Sequence, residues 1–570
     1  MNSRILSLAL AASLIAPATL LARDPVPSSA GAPAAADSAS GWKLVAVLAI
    51  EPYEGLLQDV NCVGELTENP GLTAPNLEGM LNFFTQGKGL NGLDTKRPWG
   101  ALAYTNGIEF HKVAYLPVVS LKKLLNSVGG LLRGEVKEAD GITQIVQGER
   151  TIYLKEAAGW AYVADSLEDL DSLPADPIAI AGPLTKSYDV AVQVKVKNIP
   201  DAIRETFITL LKGQFEQGLK RQPGDKEGYE DRAKLIEARM AAMTEAINSL
   251  DLLTLGWSID DDEKSTSLEV KVTPIAGTPL AQAFALNANA ITSLGSLLSP
   301  AAAITGGVVG ILSEDEKAEQ SSQVDVSRDM LNDKIEDWIQ DEALEGAVGD
   351  LVKELAESLK KTIASGRRDV AASVLLGDSI SLITGAYVAD PAAVEQAFKK
   401  FAAVAAKKFP AAPQPKFDAD KVGSVRFHTV SVPLGKPDAI ELLGPQLDIA
   451  LGIGPKHVYF ALGKPGLAEL KQGLGSSASM AAKGPPAHLT VSVIPVVKFV
   501  AKVIDDDNRN KQSLDRLAKF AETLGDKDKI RVRTTPDSSQ LTFRIDVEKD
   551  AIRLGAAAFE ISRGKKSGGR

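Results

Sequence analysis

The stretch VLLGDSISLITG (Val374–Gly385) has two readings, and the choice between them decides the fold. An apolar run that ends in Gly377-Asp378-Ser379 can present a serine nucleophile at a strand end. The same three residues also suit a tight turn, because Gly accepts positive φ and Asp and Ser hydrogen-bond to nearby backbone. On the second reading, Asp369–Leu376 and Ser381–Ala389 are the two strands of a hairpin.

The flanking sequence supports the hairpin. Upstream of it lie a strand, Ile304–Leu312, and a helical stretch whose apolar residues Leu331, Ile335, Trp338, Val348, Leu351, Leu355 and Leu359 fall on one face. Downstream, Asp390 caps a helix entered through Pro391. The order is β-α-β-β-α, and it recurs. Near the C-terminus it runs through His488–Ile494, the helical Val496–Leu524, the strands Lys529–Thr534 and Gln540–Val547, and the helix Asp550–Phe559. Earlier it runs through Asp189–Val196, the stretch Ile203–Leu250, Leu252–Ile259, Ser267–Ile275 and a helix from Pro279. The first occurrence is less regular: Trp42–Ile50, a broken helical region from Pro52 to Thr85, Trp99–Tyr104, Ile108–Leu116 and the helix Ser120–Val128. Its strand pair is joined by Asn106-Gly107, a strong hairpin signal.

Further strands separate the first two units: Ile142–Val146, Thr151–Lys155 and Trp160–Ala164, then a short helix over Leu167–Leu173. Val422–Val432, Asp448–Ile453, His457–Leu462 and a helix over Leu467–Leu474 separate the last two. The fold expected is therefore α+β, with repeated β-α-β-β-α units forming antiparallel-rich sheets covered by helices. It comprises two pseudo-equivalent halves, residues 42–290 and 302–562, each with two units and an inserted hairpin region. Alternation of apolar and polar residues along the strands predicts one sheet face under helices and one facing water or a partner.

The termini have a different character. Arg4 followed by the apolar Ile5–Ile15 and a small residue at Ala22 reads as a signal peptide over residues 1–22. The run is shorter than the ~20 residues that a membrane-spanning helix needs, and no Cys follows it to accept a lipid. Residues 23–41 form a Pro/Ala/Ser-rich flexible spacer. Residues 563–570, RGKKSGGR, form a short basic tail that is expected to be disordered. Ala301–Leu312 is too short and glycine-rich to cross a membrane and reads as a buried strand. The protein is thus expected in the periplasm or outside the cell, with no transmembrane segment after signal removal.

Composition excludes several functions. The 570 residues carry a net charge of −10 with both signs interspersed, so there is no basic face for nucleic acid. The single cysteine, Cys62, rules out an intramolecular disulfide and reads as a packed thiol. Aromatic residues make up only 5%, which argues for aliphatic cores and against an aromatic sugar platform.

Candidate chemistry fails on partners. Hydrolases with a Gly-Asp-Ser nucleophile pair it with Asp-x-x-His, yet Val425, Gly454 and Pro485 stand three before His428, His457 and His488. A serine without a base is not activated. EFHKVAYLPV (Glu109–Val118) and RFHTVSVPLG (Arg426–Gly435) look alike, but His111 falls in a middle strand and His428 in an inserted region. No His-Glu-x-x-His, Cys-x-x-Cys or phosphate-binding loop is present, and GGVVG (Gly306–Gly310) lacks a Lys. The acidic clusters Asp260–Glu263 and Asp505–Asn508 could attract a hard cation but lack EF-hand spacing, and read as solvated turns. No catalytic, cofactor-binding or metal-binding residue is therefore assigned, and no cofactor is expected.

RPWGALAYTNG (Arg97–Gly107), LPV (Leu116–Val118), GWAYVAD (Gly159–Asp165), LPADP (Leu173–Pro177) and NIPDAIRE (Asn198–Glu205) resemble segments of a group of large exported proteins of unknown function from planctomycete-type bacteria. The resemblance covers Arg97 to Glu205 and extends to the C-terminal half only in general plan. It implies export and this fold, and carries no activity to any residue. The function expected from sequence is a non-catalytic, exported binding or structural protein that presents surfaces to an envelope protein or polymer. The alternatives are a hydrolase whose site is assembled from distant residues, marked by facing carboxylates or a His near a Ser, and a carrier of lipid or small ligands, marked by a large apolar pocket.

Overall fold

The structure is a computed structural model, and it describes residues 41–130, 132, 134–220, 240–241, 243–339, 341–475, 485–504 and 510–567. The expected signal peptide, residues 23–40 of the spacer, the Asp505–Asn508 cluster and the last three residues of the tail lie outside the described residues.

Alternating sequence becomes sheet throughout. The first ten strands are β1 (Lys43–Ile50), β2 (Trp99–Thr105), β3 (Phe110–Pro117), β4 (Glu135–Ala139), β5 (Ile142–Gln147), β6 (Arg150–Ala157), β7 (Trp160–Ala164), β8 (Val190–Lys195), β9 (Leu250–Asp260) and β10 (Ser265–Pro274). The second ten are β11 (Ile304–Ile311), β12 (Arg367–Leu376), β13 (Ile380–Tyr387), β14 (Lys416–Val422), β15 (Val425–Pro433), β16 (Gln446–Ile453), β17 (His457–Leu462), β18 (Ala487–Ser492), β19 (Lys529–Pro536) and β20 (Leu541–Val547). They form one 20-stranded sheet in which every pairing is antiparallel. The pairings run β4-β5-β6-β7-β3-β2-β1-β8-β9-β10 from one edge. They run β14-β15-β16-β17-β13-β12-β11-β18-β19-β20 from the other. The two series meet at β10 and β20, in register from Thr266↔Val547 to Val272↔Leu541.

Gly377-Asp378-Ser379 joins β12 to β13, with Leu376 opposite Ile380. The turn at Asn106-Gly107 is closed by Asn106 Oδ1, which accepts from the backbone N–H groups of Ile108 and Glu109 at 2.9 and 2.8 Å.

Both faces of β7 are buried. Along β7, Trp160, Tyr162 and Ala164 point into a core with Val47, Leu102, Tyr115 and Tyr188, while Ala161 and Val163 point into a second core beneath the helix Leu121–Val128. Each large side chain sequestered in this way contributes about 1.5–3 kcal/mol. The expectation of one free face therefore fails at β7, because a helix or helical turn covers each side. In the central strands the polar face is the buried one, with Ser267 and Glu269 buried and Leu268 exposed. Ser267, Glu269 and Lys271 of β10 alternate with Leu268, Val270 and Val272, and oppose Asp546, Arg544 and Thr542 of β20.

Four local expectations change. The helical stretch expected across Leu331–Leu359 is two helices, Glu314–Trp338 and Glu342–Ala364, the second capped by Asp341. The strand expected over Val422–Val432 is interrupted after Val422 by a turn at Gly423 (φ +57°). The strand β4, EVKEA, is exposed at every position and offers no apolar alternation to read. The terminal helix, Lys549–Ser567, continues past Arg563, where the tail was expected to begin.

Candidate functional site

A cavity lies over the face of the sheet that carries Trp99 of β2, Leu116 of β3 and Trp257 and Ile259 of β9. Its cover is a pair of helices, Tyr53–Leu66 and Ala74–Phe84. The first turns Leu56, Asp59, Val60 and Val63 inward, at the spacing of a single helix face. The second contributes Leu77 and Leu81 and exposes Met80, Phe83 and Phe84 on its other side.

Local chemistry fixes this pair. Thr73 caps the second helix by accepting from Asn76 N at 3.3 Å, and Asn61 Oδ1 accepts from Ala74 N at 2.7 Å. Gly64 lets the connecting segment pass closely, since a Cβ there would lie 1.8 Å from Leu72 O. The cavity has a volume of ≈ 690 Å³, within the roughly 300–1,000 Å³ of small-molecule sites.

Few polar groups reach it. Arg97 is satisfied: its Nε donates to Asp94 Oδ2 at 3.0 Å, Nη2 donates to Gly159 O, and the guanidinium lies 4.1 Å from the centre of the Trp160 ring. Asp59 is not satisfied. It is 9% exposed, and among the described residues no hydrogen-bond donor reaches its Oδ2. Behind it stand Glu51, at the end of β1, and Asp189, just before β8. Burial comes first in pushing the carboxyl groups of Glu51 and Asp59 upward, and the neighbouring acids Asp189 and Asp261 add to it. Burial also raises Asp189, against the backbone N–H of Ile259, which its Oδ2 accepts at 2.5 Å. Cys62, from the same helix as Asp59, is 1% exposed, and burial pushes its thiol up to about 11, so it stays protonated at neutral pH.

The residues weighed in the sequence fall elsewhere. Ser379 sits in the β12–β13 turn, and among the described residues no imidazole hydrogen-bonds to it; Lys502 Nζ donates to the carbonyl of Asp378 at 3.1 Å. His111 lies on β3, 3.2 Å from Asp169. His428 lies on β15, in a network with Glu395. Asp260 closes its own turn by accepting from the N–H groups of Asp262 and Glu263, but its neighbour Asp261 adds charge to the Glu51–Asp59 pair.

Two other clusters resemble sites and are closed by their own hydrogen bonds. Glu395, Asp418 and His428 converge, but Arg426 donates to Glu395 Oε2 at 2.7 Å and to Asp418 Oδ1 at 2.9 Å, and Lys399 lies 2.6 Å from Glu395 Oε1. His428 Nδ1 accepts from Asp418 N, which leaves Nε2 to donate to Glu395 at 3.2 Å. Ser293 Oγ lies 2.8 Å from His457 Nε2, the contact a nucleophile needs. Its proton, however, goes to Asp369 Oδ2 at 2.6 Å, so His457 must donate to the oxygen, as Arg367 does at 3.3 Å. A hydroxyl aimed at an acid and receiving protons from a histidine is not poised for attack.

Sequence reasoning missed Glu51, Asp59 and Asp189, because β1 and β8 become neighbours only in the folded sheet. One local signal existed: Asp59 is a carboxylate on the apolar face of its own helix. Compared with protein families, curated proteins and solved structures, the chain gives no match.

Proposed function

We infer that this is an exported, non-catalytic binding protein of the periplasm or cell envelope, and that its ligand is a small apolar molecule held in the cavity beneath Tyr53–Leu66 and Ala74–Phe84. The reading rests on one observation: a ligand-sized cavity walled by Leu, Val and Trp side chains, with its only arginine already paired. Burial of an apolar ligand there would exchange water for aliphatic contact at about 25 cal/mol per Å². Titration with a fluorescent apolar probe such as an anthracene-labelled fatty acid tests it. Saturable binding, lost when Leu81→Trp or Val60→Trp fills the space, is expected. Binding that is absent, or indifferent to both variants, overturns the reading.

The architecture behind this function is two pseudo-equivalent halves, 42–290 and 302–562, built from repeated units. Supporting this is the matching order of pairings inward from each edge of the sheet to β10 and β20. The cavity's helix pair, which joins β1 to β2, has its positional counterpart in the longer helices Glu314–Trp338 and Glu342–Ala364, which join β11 to β12.

A second reading, a hydrolase, has one observation in its favour: two carboxyls, Glu51 and Asp59, both pushed upward beside a cavity. Turnover of ester or glycoside substrates abolished by Asp59→Asn would establish it.

A further inference from the structure

Three carboxylates converge behind the cavity wall without a counter-charge. Glu51 and Asp189 are brought together by the pairing of β1 with β8, where Glu51 N donates to Asp189 O at 2.7 Å. Asp59 arrives from the second turn of the helix Tyr53–Leu66. One oxygen from each lies within 4.8 Å of the other two.

Proximity alone would mean little. The second observation is the state of the oxygens. Asp59 is nine-tenths buried, and among the described residues neither its Oδ2 nor Glu51 Oε1 has a hydrogen-bond donor. No Lys or Arg forms an ion pair with any of the three among the described residues. The contrast is internal, because the converging Glu395, Asp418 and His428 are neutralised by Arg426 and Lys399. Gly55 completes the pocket: a Cβ there would lie 2.1 Å from Glu51 Oε2, so only glycine lets that carboxylate fold against the helix's first turn.

We propose that Glu51, Asp59 and Asp189 bind a hard divalent cation, with calcium the best fit. The donors are all carboxylate oxygens, with no nitrogen or sulfur to favour zinc or copper. Calcium takes oxygens at about 2.3–2.6 Å, so ligands on opposite sides of the ion stand about 5 Å apart, which matches the cluster. Three negative charges from β1, β8 and the helix would then be drawn together rather than repelled. Because Asp59 also lines the cavity, the ion would tie the covering helix to the sheet. The site does not depend on what the cavity holds.

The test uses the full chain freed of metal by chelator and dialysis. Calcium chloride is titrated by calorimetry, and the thermal midpoint is followed with calcium and, separately, magnesium. One saturable site is expected, with a midpoint that rises with calcium and responds less to magnesium. Asp59→Asn and Glu51→Gln should each weaken calcium binding at least tenfold, while Asp418→Asn leaves it unchanged. Each substitution at the site replaces a buried carboxyl crowded by other acids with a neutral amide, so the metal-free variants should melt no lower than the parent; if one fails to fold, the other carries the test. No calcium-dependent heat or midpoint shift by about 10 mM, well above the range of weak extracellular calcium modules, overturns the proposal. So does a calcium response that survives in both variants.

Discussion

At the scale of residues, the chemistry is decided by where protons sit. Ser293 and His457 are close enough for catalysis, yet Asp369 takes the serine proton, and the pair becomes a structural clasp. The same accounting governs pH dependence. Burial holds His428, His457 and His488 below their ordinary value of 6.5. The folded state then binds fewer protons than the unfolded one just below that value, so stability is full above about pH 6.5 and falls as the pH drops through it. Carboxyl groups raised by burial act in the opposite sense, so the informative quantity is a difference. Urea midpoints measured from pH 7.5 to 5 should fall less steeply in His457→Gln than in the parent; parallel curves would sink the claim. Ser379, in a turn, should behave as a surface residue: Ser379→Ala is expected to shift stability by no more than about 0.5 kcal/mol.

At the scale of elements, the helix Ala74–Phe84 is the weak part of the cavity's cover. None of its residues is buried, so it depends on its cap and on the contacts of Leu77 and Leu81. Thr73→Ala removes the acceptor for Asn76 N and should cost about 1 kcal/mol locally. Faster amide hydrogen exchange confined to residues 74–84, together with weaker binding of the apolar probe, is the expected outcome. Exchange unchanged there would show that the cap is irrelevant. The strands were the most legible elements, because alternating residues such as DVAASVLL and HVYFAL report a half-buried sheet directly. β4 was invisible for the converse reason: EVKEA buries nothing and is a strand only because β5 offers it hydrogen bonds.

At the scale of the whole molecule, twenty strands are joined at β10–β20. The join is polar on one face, where Glu269 receives Tyr188 Oη–H, lies 2.8 Å from Lys271 Nζ and pairs with Arg544 across the seam at 3.3 Å. Its carboxyl is held below the usual range by these partners, against the pull of burial. Glu269→Ala leaves Lys271 without a carboxylate in a half-buried site, and Arg544 with Asp546 alone, and should cost about 2 kcal/mol. The loss should appear in chemical denaturation as a lower midpoint, or as separation of one transition into two; an unchanged curve would show that the backbone ladder alone holds the seam. Glu263 with Lys527, at 2.5 Å, and Glu68 with Arg553 add exposed pairs between the same parts of the chain, each worth little alone.

By itself the sequence determined the class of the protein, the position of nearly every strand and the demotion of Ser379 to a turn. These depend on short-range rules: alternation, caps, and the φ preferences of Gly, Asn and Asp. Only the tertiary structure decided that the strands form one sheet, that a cavity opens beneath two helices, and that Glu51, Asp59 and Asp189 meet. Strand order and convergence depend on contacts between residues more than a hundred positions apart, as between Glu51 and Asp189. No local pattern encodes those distances, because the free energy that sets them comes from burying both faces of a sheet whose neighbours are chosen by the entire chain.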